Sequence, residues 1–313
     1  MPDQPRKIVI DTDPGQDDAV AILLALASPQ IEVLGIVAVA GNVPLELTAR
    51  NARIVCELAG RTDIPVFAGC DRPLTRPLVT AEHVHGKTGL DGIVLPEPTM
   101  PLQDGDGVDF IVETLRREPP GTVTLATLGP LTNIATAFAC APDIVGRVER
   151  IVMMGGAYFE VGNVTPAAEF NIHVDPEAAR DVFAGGVPLT VLPLDVTHKV
   201  LTTRPRVEAF RGLGRVGEVV ASWTDFFERF DIEKYGSQGA PLHDPTVIAW
   251  LLRPDLFSGR EINVEIEVES ELTRGMTVAD WWRVTDRPVN ALFIGDVDAD
   301  GFYALLTERL ARL

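Results

Sequence analysis

Near-continuous apolar runs alternate with helix-period segments along much of this chain, and that alternation leaves few architectures open. The stretches "KIVIDTD" (7–13), "IEVLGIVAVAG" (31–41), "TVTLATLG" (122–129), "RIVMMGG" (150–156) and "PLTVLPLD" (188–195) read as strands with no consistently polar face. Strands of that kind belong to parallel sheets covered by helices on both sides. Between them, "DDAVAILLALAS" (17–28) places Ala19, Ile22, Leu23 and Leu26 at the 3.6-residue period, and "PLELTARNARIVCELAG" (44–60) ends on Gly60. Further helices are expected from Pro130 and over "DPEAARDVFAG" (175–185). This βα repetition predicts an α/β fold with a doubly wound, mostly parallel open sheet, Rossmann-like, joined by right-handed crossovers.

Two segments depart from the pattern. Residues 70–106 are rich in Pro, Gly and Asp, and a loop of that length inside a compact domain is usually functional. Between 260 and 294, Ile262, Val264, Ile266 and Val268 alternate with polar neighbours, which predicts a half-exposed antiparallel hairpin near the C-terminus. With no repeat, low-complexity run or linker, residues 1–313 read as a single domain.

Charge narrows the partners. A formal charge of −18 argues against a surface that tracks nucleic-acid phosphates and against an anionic membrane. The apolar runs are too short to span a bilayer, and "MPDQPRKIVI" enters a strand without a leader-type apolar region. Cys56, Cys70 and Cys140 show no metal-ligand spacing and read as reduced thiols, so a cytoplasmic protein is expected.

The chemistry concentrates in "DTDPGQDDAVAILLALAS", which puts four carboxylates, Asp11, Asp13, Asp17 and Asp18, into eight residues at the end of the first strand. Open α/β sheets bind ligands at such strand ends. Asp17 or Asp18 taken singly is equally well explained as a helix cap. The four together are not, and oxygen donors without nearby Cys or His point to a hard cation, Ca²⁺ or Mg²⁺. His243 and Asp244 precede Pro245 at the start of another apolar helix; alone, that Asp is more simply an N-cap before Pro at the first helical position.

Taken in order, "DTDPGQDDAVAIL", "VAGN" (39–42), "LGPLTNIA" (128–135), "MMGGAY" (153–158), "AEFNIHVDPEAA" (168–179) and "HDP" (243–245) resemble the signature of the nucleoside hydrolase family, inosine-uridine-preferring type. The resemblance covers most of the chain. It implies Ca²⁺-dependent cleavage of the N-glycosidic bond of ribonucleosides, purine or pyrimidine, and a homodimer or homotetramer. It further implies Asp13, Asp18 and Asp244 as carboxylate ligands of the ion, with the Leu128 carbonyl completing the shell and Asp13 doubling as general base. Asp17 and Asn42 would contact the ribose 2′-hydroxyl region. Asn163, Glu169 and Asn171 would hold the 5′- and 3′-hydroxyls, with Phe170 and Met154 near the sugar. His243 would protonate the leaving base, and His85 is similar to the family's second pocket histidine.

An oxocarbenium-like transition state needs negative charge near C1′, an activated water and an anchored ribose, which an acidic, amide-rich pocket supplies. Residues 223–241 occupy the place where the family closes a helix over the base, and Tyr235, sharing a helical face with Asp231, either stacks on the base or is a surface aromatic. His83, His173 and His198 have no partner motif and read as ordinary surface or core residues. Trp281 and Trp282 alternate faces and receive no catalytic role. Two other functions stay open: a Mg²⁺ phosphohydrolase resembling the haloacid-dehalogenase-like enzymes, in which "DTDPG" supplies the nucleophile, and a non-catalytic ribonucleoside-binding protein.

Overall fold

Ile8, Val9 and Ile10 are all fully buried, yet Ile8 and Ile10 join one hydrophobic core and Val9 another. Successive side chains of a strand point to opposite faces, so the first strand has a packed layer on each side. The structure is a computed structural model that describes residues 4–313, with Asp231, Lys234 and Tyr235 described by their backbone alone. Its strands begin with β1 (Arg6–Thr12), β2 (Ile31–Ala38), β3 (Val66–Ala68), β4 (Val123–Thr127), β5 (Val148–Met154) and β6 (Leu189–Leu192). They continue with β7 (Leu201–Thr203), β8 (Gly239–Pro241), β9 (Phe257–Ile262), β10 (Val264–Ile266), β11 (Thr277–Ala279) and β12 (Ala291–Val297).

Eight strands form one sheet in the order β3-β2-β1-β4-β5-β6-β12-β9. Every pairing in it is parallel except the last, β12 with β9. The first six strands therefore follow the doubly wound order, whose direction of winding reverses between β1 and β4. The expected hairpin is β10 paired antiparallel with β11, while Ile262 belongs to β9 and joins the main sheet. Trp281 and Trp282 follow β11; Trp281 is half-buried and Trp282 is exposed. Among the described residues no helix is long and apolar enough to cross a membrane.

The helix Gln16–Leu26 differs from its periodicity: all of its residues are buried, not one stripe. It sits on the sheet and also packs against the helices Leu45–Leu58, Gly214–Tyr235, Pro245–Leu252 and Ala299–Leu310, so no side of it faces solvent. That explains how Asp17 and Asp18 at its start become buried.

The long loop is held down by side chains from the sheet layers. Asn51 donates to the carbonyls of Pro14 (2.9 Å) and Thr88 (2.7 Å), and Gln16 donates to those of His85 (2.9 Å) and Asp91 (3.1 Å). Asp175, fully buried, accepts from Leu74 N (2.9 Å), Thr132 Oγ1 (2.7 Å) and Ala178 N (3.1 Å), tying the loop to two helices at once. Asp175→Ala removes a helix cap and leaves two donors unpaired, so it should lower the unfolding free energy by about 3 kcal/mol. Urea denaturation checks this, and a loss below about 1 kcal/mol, the size of one ordinary hydrogen bond, would refute the tie.

Candidate active site

At the reversal point the chain leaves β1 at Asp13 and leaves β4 at Leu128 and Gly129. Asp13 Oδ2 accepts from Asn42 N at 2.7 Å, while its buried Oδ1 has no hydrogen-bond partner among the described residues. Space for this carboxylate exists only because two neighbours are glycines. A Cβ on Gly41 would lie 2.1 Å from Asp13 Oδ2, and one on Gly129 would lie 2.3 Å from Oδ1.

Asp18 accepts from Thr12 Oγ1 (2.5 Å), Gly15 N (2.9 Å) and Asn42 Nδ2 (3.2 Å). It thus closes the first turn of its helix and faces the cluster at the same time. Asp244 is the N-cap residue before Pro245, but its side chain makes no capping hydrogen bond. The carboxylates of Asp17, Asp18 and Asp244 instead converge, with oxygens all within 4.8 Å of one another.

Burial is the main cause of their electrostatics. It pushes the carboxyl groups of Asp11 and Asp17 up to about 7 and those of Asp13 and Asp244 well above the usual range. Asp18 is also raised by burial, against hydrogen bonds that favour its ionised form. Mutual repulsion adds to burial for Asp13, Asp17 and Asp244, and among the described residues no Lys or Arg is a main influence on any of the five. Oxygen donors only, an orphaned Asp13 Oδ1 and missing countercharge fit a divalent cation. Asp11 stands apart from the triad, with Oδ2 accepting from Asn133 Nδ2 at 2.7 Å.

Of the expected carboxylate ligands, Asp18 and Asp244 lie in the compact group together with Asp17, and Asp13 lies beside it as a charge that repels both Asp18 and Asp17. The Leu128 carbonyl, the fourth expected ligand, accepts from Asn171 Nδ2 at 2.6 Å.

A cavity of about 290 Å³ opens above the cluster. Asp17 and Asp244 line its floor with Asn42, Leu128 and Met154. Asn163, Glu169, Phe170 and Asn171 form a side wall. That wall is braced internally. Glu169 caps its short helix by accepting from Asn171 N (2.9 Å) and also takes Gly156 N (2.9 Å), and burial raises its carboxyl to about 7. Asn163 Oδ1 accepts from Phe170 N at 3.0 Å, and Asn171 reaches the Met154 carbonyl at 3.3 Å as well as Leu128.

His85 and His243 also line the cavity. His85 Nδ1 lies 2.7 Å from Gln16 Oε1, and burial pushes its imidazolium down to about 3, leaving it neutral. His243 Nδ1 lies 2.8 Å from Thr197 Oγ1, and burial, with His198 and His85 nearby, likewise holds it well below the usual range.

The lining residues that sequence reasoning missed include four with rings, His83, His198, Phe227 and Phe230, besides the small apolar Ala81, Val84 and Val164. The helix Gly214–Tyr235 does cover the cavity, but through Phe227 and Phe230, spaced three apart on one helical face. That spacing was the available signal. Phe227 stacks on His85 with ring centres 5.5 Å apart, and His83 meets Phe230 edge-on at 5.6 Å. The Tyr235 side chain lies outside the described residues. His83, in the short helix Glu82–His85, and His198, at the end of the short helix Leu194–Thr197, are read from sequence as ordinary residues, because no local pattern reveals that the fold brings them to one cavity.

Comparison with known proteins identifies the family. A family model described as inosine-uridine preferring nucleoside hydrolase matches residues 8–304. An uncharacterized protein of Schizosaccharomyces pombe is 55% identical over 98% of this chain and 99% of its own. The pyrimidine-specific ribonucleoside hydrolase RihA of Shigella boydii is 48% identical over 97% of each. Among solved structures, the purine-preferring ribonucleoside hydrolase from Gardnerella vaginalis superposes with a TM-score of 0.91 at 33% identity, covering 97% of this chain and 98% of that one. The chain therefore belongs to the inosine-uridine preferring nucleoside hydrolase family, enzymes that hydrolyse the N-glycosidic bond of nucleosides.

Proposed function

We propose that this protein is a Ca²⁺-dependent ribonucleoside hydrolase in which Asp13 accepts the proton of the attacking water. The observation that carries the proposal is the convergence of buried carboxylates at a cavity lined by both amide and imidazole side chains. Asp18 and Asp244, common to the expected set and the observed triad, would hold the ion with Asp13, Asp17 and the Leu128 carbonyl around it; bound there, it supplies Lewis-acid activation of water and a grip on vicinal hydroxyls. The chain's own groups do the rest. Asp17, Asn42, Asn163, Glu169 and Asn171 orient the ribose, with Met154 and Phe170 against it. The acidic floor meets the positive charge that develops at C1′. His243 and His85 hydrogen-bond the departing base, with His243 as a proton donor.

Pyrimidine ribonucleosides are the favoured substrates. The 48% identity with an enzyme named pyrimidine-specific supports this, and no Trp lines the cavity among the described residues. The phosphohydrolase reading has no support here, because no Lys or Arg lines the cavity either. A single domain, supported by the one family model over residues 8–304, and a cytoplasmic setting complete the proposal. So does assembly into a homodimer or homotetramer, for which exposed Trp282, Val284 and Val289 offer apolar surface; a monomer by sedimentation equilibrium at micromolar concentration would remove that part.

Uridine, cytidine, inosine and adenosine are to be compared for released ribose. Asp13→Ala should lower kcat by about 10³-fold, within the range for losing a general base. Gly129→Ala should keep the fold but displace the Asp13 carboxylate and lower kcat by about 10²-fold, as a misplaced reacting group does. Full activity in either variant contradicts the role of Asp13, whereas no turnover of any nucleoside by the Ca²⁺-supplemented wild type contradicts the hydrolase reading and favours the non-catalytic binding protein.

Metal binding should also release protons. The raised carboxyl groups carry shared protons near pH 6 in the metal-free protein, and a cation competes with them, so affinity rises as pH increases from 5 to 8 by about tenfold or more. Calorimetry of Ca²⁺ binding in two buffers of different ionisation enthalpy measures the proton count. A pH-independent affinity without proton release would show that the carboxylates are already ionised.

A further inference from the structure

Four of the chain's five histidines line the cavity, more imidazoles than one leaving base requires. Two have neutral partners, His85 with Gln16 and His243 with Thr197. His198 differs. Its Nδ1 lies 3.1 Å from Glu160 Oε2, and among the described residues it is the only one of the four paired with a carboxylate.

The pairing is built into the backbone. His198 ends the short helix Leu194–Thr197, its N–H bonded to the Leu194 carbonyl at 3.0 Å. Asp195 of that helix, itself buried, accepts from the N–H groups of Tyr158 (2.9 Å), Phe159 (2.6 Å) and Glu160 (3.3 Å). One turn of helix therefore fixes both the imidazole and the loop that carries its carboxylate. A partly exposed ion pair contributes only about 0–1 kcal/mol to stability, so stability is a poor account of this construction. Its position is a better one: His198 lines the same cavity, with its ring centre 5.8 Å from that of His243.

We propose that His198 is a second proton donor to the departing nucleobase and that Glu160 is its positioning residue, an inference that rests on the hydrolase reading above. As the C1′–N bond breaks, its electron pair goes to the base, and the proton on His198 Nε2 passes to a base heteroatom. His198 is left neutral, with its Nδ1–H donated to Glu160. Oxygen of the attacking water bonds to C1′, its proton passes through Asp13 to solvent, and His198 regains a proton from solvent, so the sum is addition of one water. The charged and titratable groups facing His198 are Glu160 from the loop and His243 from the adjoining helix start. On its own segment Asp195 is occupied by three backbone N–H groups, and Lys199 is paired with Asp296 at 2.9 Å.

The test compares uridine with 4-nitrophenyl β-D-ribofuranoside, whose leaving group needs no proton, in the Ca²⁺-supplemented enzyme. His198→Gln should lower kcat on uridine by about 10²-fold, as loss of a general acid does. Its loss on the nitrophenyl riboside should be at least about tenfold smaller, with KM for uridine changed less than about threefold. Glu160→Gln, an exposed substitution that spares the fold, should move the alkaline limb of the uridine kcat profile to lower pH. Equal losses on both substrates, or no loss on uridine, would overturn the role of His198. Should His198→Gln not fold, an unmoved pH limb in Glu160→Gln overturns it. A wild type inactive on both substrates would instead overturn the hydrolase reading itself, and this inference with it.

Discussion

Repulsion among buried carboxylates is the constraint around which the rest of the molecule is arranged. Asp11, Asp13, Asp17, Asp18 and Asp244 are all buried. At an effective dielectric near 20, two charges about 4 Å apart repel by roughly 4 kcal/mol, and a whole domain is stable by only about 5–15 kcal/mol. Full ionisation without a countercharge would consume that margin. The folded state must therefore hold shared protons or a cation at the end of β1, and the scaffold accommodates either. Gly41 and Gly129 leave room for the Asp13 carboxylate, and Asn42 ties Asp13 to Asp18 through both its backbone and its side chain.

The cavity separates two kinds of chemistry. Carboxylates gather on the floor, whereas the histidines His85 and His243 take neutral partners, an amide and a hydroxyl. Had either imidazole paired with a floor carboxylate, each would have neutralised the other. Hydrolysis of an N-glycosidic bond moves electrons from the sugar toward the base, leaving positive charge at C1′ and negative charge on the leaving group. A polarised cavity of this kind matches that flow at both ends. Aromatic rings from the helix Gly214–Tyr235 line the cavity beside the imidazoles, where Phe227 packs on His85 and edge-on to His243 at 6.5 Å.

Legibility from sequence followed how locally each feature is encoded. Strands β1, β2, β4, β5 and β6 were evident because burial on both faces requires continuous apolar runs, and a run survives inspection of one segment alone. Asp13, Asp17 and Asp18 were evident because one turn holds them. Asp244 was ambiguous, since Asp before Pro caps helices well; only the absence of a capping bond in three dimensions separates the two roles. The three-residue strand β3 and the C-terminal β12 carried too little pattern to be placed. Total burial of the helix Gln16–Leu26 was hidden as well, because it depends on four helices distant in sequence. His83 and His198 were out of reach for the same reason: their significance is a shared cavity, and nothing within a few residues of either announces it.

The side wall, proposed above to hold the ribose, is mechanically joined to the acidic floor. Asn171 Nδ2 donates to the Leu128 carbonyl, and a carbonyl oxygen has two lone pairs, so this bond leaves one available to a cation. Glu169 fixes the helix turn that presents Asn171, and through Gly156 it also fixes the end of β5. Asn171 is thereby tied to Leu128, and Leu128 N is bonded to the Asp11 carbonyl at 2.8 Å, two residues from Asp13. In the proposed mechanism, sugar binding and the placement of the proton acceptor would share one chain of hydrogen bonds. This is the physical reason the amide-rich wall and the carboxylate floor, far apart in sequence, are of use only together.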